Sequence, residues 1–211
     1  GYLPEAVINM LAFLGWNPGT EKEIYSLDEL IEDFDLEKVH KSGAKFDPEK
    51  TKWFQQHHLQ HADEKILVQG FQKILKKRGI DITEEYTSKV VSLLKERAVF
   101  ISDFWELGSY FFERPYSYDE KAVKKSWKPD SAEILTELSN IVDKTTDFTA
   151  EHLSENVKKW IEEKGFGFGK VMQPFRLSLV GSMQGPDVFM IAATIGQENT
   201  LERLRFAIEK L

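Results

Sequence analysis

The residues best spaced for chemistry are three histidines in one run, His57-His58-Leu59-Gln60-His61. His57 and His61 stand four apart, which on a helix brings two imidazoles to one face, the spacing a shared zinc needs. No glutamate follows the first histidine and no third ligand is evident, so the plainer reading is a polar helix end. Gly165-Phe166-Gly167-Phe168-Gly169 resembles a phosphate-cradling loop in composition only, because no strand precedes it; a loop between helices, with its phenylalanines burying a helix end, is expected. The acidic pairs Asp28/Glu29, Glu84/Glu85 and Glu162/Glu163 fall at helix ends or on polar faces, where the helix dipole and solubility account for them. The chain has no cysteine, which excludes disulfides, thiolate zinc, iron–sulfur ligation and Cys nucleophiles. No G-x-x-x-x-G-K-[ST] or G-x-S-x-G occurs. These observations predict no catalytic residue and no metal site.

A second group of residues has binding chemistry. Lys76-Lys77-Arg78, Arg97, Lys124/Lys125, Lys158/Lys159 and Arg176 lie among frequent Trp, Tyr and Phe. Such residues suit RNA: lysine meets phosphate, and unstacked bases pile on aromatic or guanidinium planes. The same residues also suit an all-α interaction scaffold, with solvated lysines and aromatic stripes in the core. Composition alone leaves both classes open and favours the scaffold.

The elements that must position these residues are helical throughout. Pro4 opens a helix carrying Val7, Ile8, Leu11 and Leu14, with Gly15 to end it. Ser26, Asp47 before Pro48, Thr83, Ser102, Ser131 and Thr149 each precede a run with apolar residues at helical spacing. Ile66, Leu67, Phe71, Ile74 and Leu75 form one stripe and Val90, Val91 and Leu94 another, expected to pack in one bundle. Asp187 to Ile195 and a segment from Thr200 to the end complete about ten short helices. The fold class is all-α, helical bundle subdomains in series, with breaks near His61 and at Lys128-Pro129-Asp130. That gives segments 1–61, 62–130 and 131–211.

The 211 residues carry 28 Lys+Arg against 35 Asp+Glu, a net charge of −7. This argues against non-specific coating of nucleic acid, which needs a broad cationic excess. The middle segment 61–130 is the exception, with 13 basic and 12 acidic residues. No apolar stretch approaches the ~20 residues of a membrane span, and the start lacks a basic-then-apolar leader. A cytoplasmic protein without membrane attachment is expected.

Three ordered stretches make the sequence recognisable. Gly1-Tyr-Leu-Pro-Glu-Ala-Val-Ile-Asn-Met-Leu-Ala-Phe-Leu-Gly-Trp16 resembles the segment that follows the K-M-S-K-S-type loop in bacterial glutamyl-tRNA synthetases. Lys45-Phe-Asp-Pro-Glu-Lys50 with Trp53 resembles the family's F-D-x-x-K-x-x-W. Gln173-Pro174 with Arg176, then Val180-Gly181 and Gly185-Pro186, resembles its Q-P-x-R…T-G…[ST]-P.

This resemblance implies the C-terminal, tRNA-binding portion of a class I synthetase, without the Rossmann domain that bears H-I-G-H and K-M-S-K-S. It implies tRNA(Glu) as partner, along with the catalytic domain of the same polypeptide, in a monomer. It implies no cofactor in this part, ATP and magnesium belonging to the full-length enzyme. Segment 1–61 would join the catalytic and anticodon-binding regions and touch the tRNA corner, and segments 62–130 and 131–211 would be two anticodon-binding subdomains. By matched position, Arg97 would read the third anticodon base, Arg176 would lie near the first ones, and Gly185, Pro186 and Val188 would form the turn and helix start packed on that nucleotide. Lys158 would neutralise a phosphate. Two departures stand out. The family's W-x-N-x-x-Y-[IL] reads here with Gln55 for Asn and His58 for Tyr, which puts corner contacts through that segment in question. Gly185 replaces the usual Ser or Thr and lacks its hydroxyl.

Overall fold

The computed structural model describes residues 1–39 and 45–211. Among them are twelve α-helices: α1 Pro4–Phe13, α2 Leu27–Asp33, α3 Pro48–His61, α4 Glu64–Lys77, α5 Glu84–Leu94, α6 Asp103–Gly108, α7 Glu120–Ser126, α8 Ser131–Lys144, α9 Ala150–Lys164, α10 Phe168–Val180, α11 Val188–Ile195 and α12 Gln197–Lys210. The described residues hold no sheet, only a lone antiparallel bridge between Trp16 and Val39. The chain is all-α, and no helix among the described residues is long and apolar enough to cross a membrane.

Most starts fall where the capping residues place them. The Ser26 hydroxyl accepts from Glu29 N–H while Glu29 reaches back to Ser26 N–H, a complete capping box. Asp47, Thr83 and Thr149 cap α3, α5 and α9 with their side-chain oxygens. Three expectations shift. Ser131 is the first residue of α8 rather than its cap, and its hydroxyl accepts from Lys128 N–H. α12 begins at Gln197, not Thr200, whose hydroxyl instead donates to the Gly196 carbonyl one turn back. α10 begins inside the glycine-rich run; Phe166 does pack edge-on against Trp160 at 5.6 Å, but Phe168 is 52% exposed.

The chain divides into two compact units, Gly1–Leu107 and Gly108–Leu211. In the first, α1 packs on α3 and α4 on α5, so the two stripes do share one bundle. Its larger core buries Phe54, Leu59, Phe71, Val90, Leu94 and Phe104. Buried polar side chains tie these helices to irregular backbone. Asn9, fully buried, accepts from Tyr25 N–H through Oδ1 and donates to the Glu23 carbonyl through Nδ2, and His58 Nε2 lies 3.0 Å from the same Oδ1. Gln55, also fully buried, accepts from Leu3 N–H at 2.7 Å and donates to the Val99 carbonyl at 2.9 Å.

In the second unit α10 is central, packed against α7, α8, α9, α11 and α12, with Phe175, Leu177 and Leu179 in the core. Arg203 of α12 is 4% exposed and donates from Nη1 to the carbonyls of Tyr110 and Leu179, at 2.6 and 2.9 Å. α10 ends at Gly181 with φ of 79°. There the backbone needs a residue without a side chain, because a Cβ would sit 2.8 Å from the Ser117 carbonyl. Gln197 closes the other end of this unit, its Nε2 donating to the carbonyls of Val142, Asp143 and Thr145 at the end of α8.

Gln55→Ala strands the Leu3 N–H and the Val99 carbonyl, and is expected to cost about 1–3 kcal/mol in chemical denaturation. A change below a few tenths would contradict that role. His58 is held below its ordinary pKa of 6.5 by burial first, with His57 and His61 adding to this and Glu5 opposing it. The folded state therefore holds the proton less tightly than the unfolded one. The stability this contributes is full above about pH 6.5 and drains away as pH falls toward the folded pKa. Wild type is expected to lose thermal stability relative to His58→Gln as pH drops from about 7.5 to 5.5; a gap independent of pH would refute it.

Candidate nucleic-acid interface

In the first unit the feature of interest follows α5. Residues Lys95–Arg97 form a single 3₁₀ turn. The Glu96 carbonyl in that turn accepts from Gln60 Nε2 at 3.0 Å and from Gln56 Nε2 at 3.4 Å, both side chains on α3. Immediately after it Ala98 is buried, and Asp103 accepts from Val99 and Phe100 N–H through one oxygen. The backbone on either side of Arg97 is thus fixed while its side chain is exposed. No carboxylate among the described residues lies within ion-pair distance of it, so a surface ion pair does not account for this arginine.

The second unit brings three residues together that are far apart in sequence. Arg176 is half-buried on α10 between buried Phe175 and Leu177. Gly185 lies in the loop before α11 with φ of 123°, where a Cβ would stand 2.9 Å from Tyr110 Oη, 3.5 Å from Arg176 Nη1 and 3.6 Å from Ile191 Cδ1. Glycine is therefore required both by the dihedral and by the space. The Tyr110 hydroxyl fills the room that a Ser or Thr side chain at 185 would need. Pro186 is buried, and Val188, the first residue of α11, is 4% exposed. Asp187 caps α11 by accepting from Phe189 and Met190 N–H at 2.9 and 3.2 Å, so two of the amides at that helix start are already used.

Tyr110 was not singled out by spacing or motif, because it belongs to a short 3₁₀ turn, Ser109–Phe111, with no local signal of its role. The Arg203 bond to its carbonyl holds that turn. Burial pushes the nearby Tyr118 phenol up to about 12, against the pull of Arg114 and Arg203, so it stays neutral at physiological pH. Lys158 is exposed on α9, and no contact among the described residues joins it to the Arg176 group.

The histidine run has a structural account. His57 and His61 stack at 5.1 Å and 10°, and His61 Nδ1 lies 2.8 Å from the His57 carbonyl one turn back. No three potential ligands gather among the described residues. Gln55 and His58, the two departures from the family pattern, face inward and hold Leu3, Val99 and Asn9, as described above. Two open clefts occur in the second unit. One of about 350 Å³ is lined by Thr136, Asn140, Asp143, Arg205 and Glu209, the other of about 310 Å³ by Lys144, Asn156, Lys159 and Trp160. Neither includes Arg176, Gly185 or Lys158.

Comparison with known proteins gives this geometry a family. Residues 50–208 match the anticodon binding domain model, and residues 1–53 match the model for the catalytic domain of class I tRNA synthetases (E and Q). A glutamate–tRNA ligase of Christiangramia forsetii is 55% identical over 211 residues, and one of Flavobacterium johnsoniae is 49% identical; each comparison covers 100% of this chain and 42% of the relative. The chain thus spans about two-fifths of the length of these curated relatives. The crystal structure of a glutamate tRNA ligase from Elizabethkingia meningosepticum in complex with its amino acid superposes with a TM-score of 0.95 at 47% identity, over 100% of this chain and 42% of that one. A glutamate-tRNA synthetase from Elizabethkingia anophelis gives 0.93 at 45% identity, over 100% and 41%. The chain belongs to the anticodon-binding domain family, in the form that glutamate–tRNA ligases carry.

Proposed function

We propose that this chain holds tRNA(Glu) and reads its anticodon, positioning it for ATP-dependent glutamylation by a catalytic domain carried elsewhere in the same cytoplasmic polypeptide. The family match over residues 50–208 is the observation that carries the reading. In it, segment 1–61 meets the tRNA corner, and segments 62–130 and 131–211 grip the anticodon loop. Corner contacts would come from exposed residues such as Lys52 and Trp53, since Gln55 and His58 are turned inward.

Arg97 is the reader of the third anticodon base. Its exposed guanidinium, on a fixed turn with no ion-paired carboxylate among the described residues, supports this role. Cytosine presents O2 and N3 acceptors to such donors, whereas guanine presents N1–H and N2–H, donor against donor. The arginine thereby favours glutamate anticodons over glutamine ones. Arg176 lies near the first anticodon bases, Gly185, Pro186 and Val188 form the turn and helix start that pack on that nucleotide, and Lys158 neutralises a phosphate.

Binding of tRNA(Glu) is expected to exceed binding of a transcript with C changed to G at the third anticodon base by an amount corresponding to about 1–3 kcal/mol. Arg97→Ala should erase most of that ratio. Equal affinity of wild type for both transcripts in filter binding would overturn anticodon reading, and a full ratio in Arg97→Ala would overturn that residue's part. Gly185→Ala forces a Cβ against Tyr110 in a left-handed conformation. It is expected to destabilise the fold by roughly 1–2 kcal/mol and to weaken tRNA binding together with it; unchanged melting and binding would show that the close approach is unimportant.

A further inference from the structure

The outer face of α4 carries charge that neither the fold nor base reading uses. From Lys65 to Arg78 the sequence has five basic residues, Lys65, Lys73, Lys76, Lys77 and Arg78, and no acidic one, in a chain where acids outnumber bases 35 to 28. The helix buries Leu67, Val68, Phe71 and Leu75 on the side packed against α5. At 100° per residue, Lys65, Lys73, Lys76 and Lys77 lie on the opposite side, and all five cations are exposed. The neighbouring carboxylates are engaged elsewhere: Asp63 caps the helix by accepting from Lys65 N–H, and Glu64 accepts from the Ser88 hydroxyl of α5.

Some exposed lysines of this chain, Lys22, Lys50, Lys52, Lys89, Lys164 and Lys170, pair with a carboxylate, while Lys121, Lys124, Lys125, Lys158 and Lys159 are exposed without an ion pair among the described residues. None of the five cations from Lys65 to Arg78 forms an ion pair among the described residues. A favourable interaction with the helix dipole explains cations in the last turn, but not Lys65 in the first or Lys73 in the middle. Arg78 is also held in place, its guanidinium 4.2 Å from the centre of the Trp105 ring. A guanidinium laid on an indole keeps its edge donors free for an acceptor such as a phosphate oxygen.

We propose that the acid-free outer face of α4, from Lys65 to Lys77, with Arg78 just beyond its end, is an electrostatic track for the phosphate backbone of tRNA, distinct from base reading at Arg97. It rests on the tRNA reading above. The track runs about 20 Å at 1.5 Å per residue, long enough to meet several phosphates. Its Lys65 end lies four residues after the end of α3, whose Gln56 and Gln60 pin the Arg97 turn, so base reader and track share one end of the bundle. RNA is favoured over an acidic protein surface because Lys65, Lys73, Lys76 and Lys77 follow a line along α4, and the separate Arg78–Trp105 stack past its end suits phosphate and base.

The test measures affinity of the 211-residue chain for labelled tRNA(Glu) transcript across salt concentrations. It compares wild type with Lys73→Gln/Lys76→Gln/Lys77→Gln/Arg78→Gln, substitutions that keep helix propensity. Each phosphate contact contributes about 0.7–0.9 to the slope of log affinity against log salt. The variant is expected to lose about two or more from that slope and roughly tenfold or more in affinity at low salt, with its melting temperature and its C-over-G ratio at the third anticodon base intact. An unchanged slope and affinity overturns the track. The same unchanged slope, with poly-glutamate bound by wild type and released by the variant, assigns the face to an acidic protein partner and equally overturns it. A wild type that shows no C-over-G preference overturns anticodon reading, while the slope comparison still decides the track. A wild type that does not bind the transcript at low salt overturns both.

Discussion

A chain folded only into short helices must satisfy the backbone groups at their ends. Each helix leaves up to four N–H groups and four carbonyls without intrahelical partners, and at most helix starts here an exposed side chain supplies one. The fold depends on a small set of polar side chains that meet this demand. Oxygen side chains serve the starts: Ser26, Asp47, Asp63, Thr83, Asp119, Thr149 and Asp187 each accept from the first-turn amides. Nitrogen side chains serve ends and turns: Gln197 closes α8, Gln60 holds the turn after α5, Gln55 reaches Val99, and Arg203 takes the carbonyls of Leu179 and Tyr110.

These same bonds set up the residues proposed to meet tRNA. Arg97 can stand exposed on a defined turn because the Glu96 carbonyl and the amides of Val99 and Phe100 are bonded from elsewhere. Arg203 fixes the 3₁₀ turn of Tyr110 to the end of α10, and a Cβ on Gly185 would stand 2.9 Å from Tyr110 Oη and 3.5 Å from Arg176 Nη1. A buried guanidinium is costly unless its donors are used, and two backbone carbonyls use them here. The acidic excess of the chain takes on a different meaning in this light. Several of its aspartates are caps, bound to amides within the fold, and glutamates such as Glu23, Glu29 and Glu137 pair with single lysines. What remains for a polyanion is local, most clearly the outer face of α4.

Much of the fold was legible because capping chemistry is local. Ser26 with Glu29, Asp47 before Pro48, and Thr149 ahead of Leu153 and Val157 announce helix starts within four residues, and the structure places them there. The errors came where a distant partner decided the matter. Thr200 reads as a cap in isolation, but Gln197 extends α12 backward to close α8, some fifty residues earlier in the chain. Phe168 reads as a buried aromatic and is 52% exposed, while Phe166 packs edge-on against Trp160. Gln55 and His58, departures from the family pattern, proved to be interior residues serving Leu3, Val99 and Asn9.

The sequence by itself determined the all-α class, most helix boundaries and the family, since periodicity, caps and motif order are properties of neighbouring residues. It also determined that the chain carries no cysteine chemistry and that its basic charge is concentrated in the middle. Only the tertiary structure decided that Tyr110 stands beside Gly185, that Arg97 has no carboxylate within ion-pair distance among the described residues, and that the lysines of α4 share one acid-free face while Arg78 rests on Trp105. Those facts depend on which helix packs on which, and that is set by burial and by hydrogen bonds between residues far apart in the chain, which spacing along a sequence does not encode.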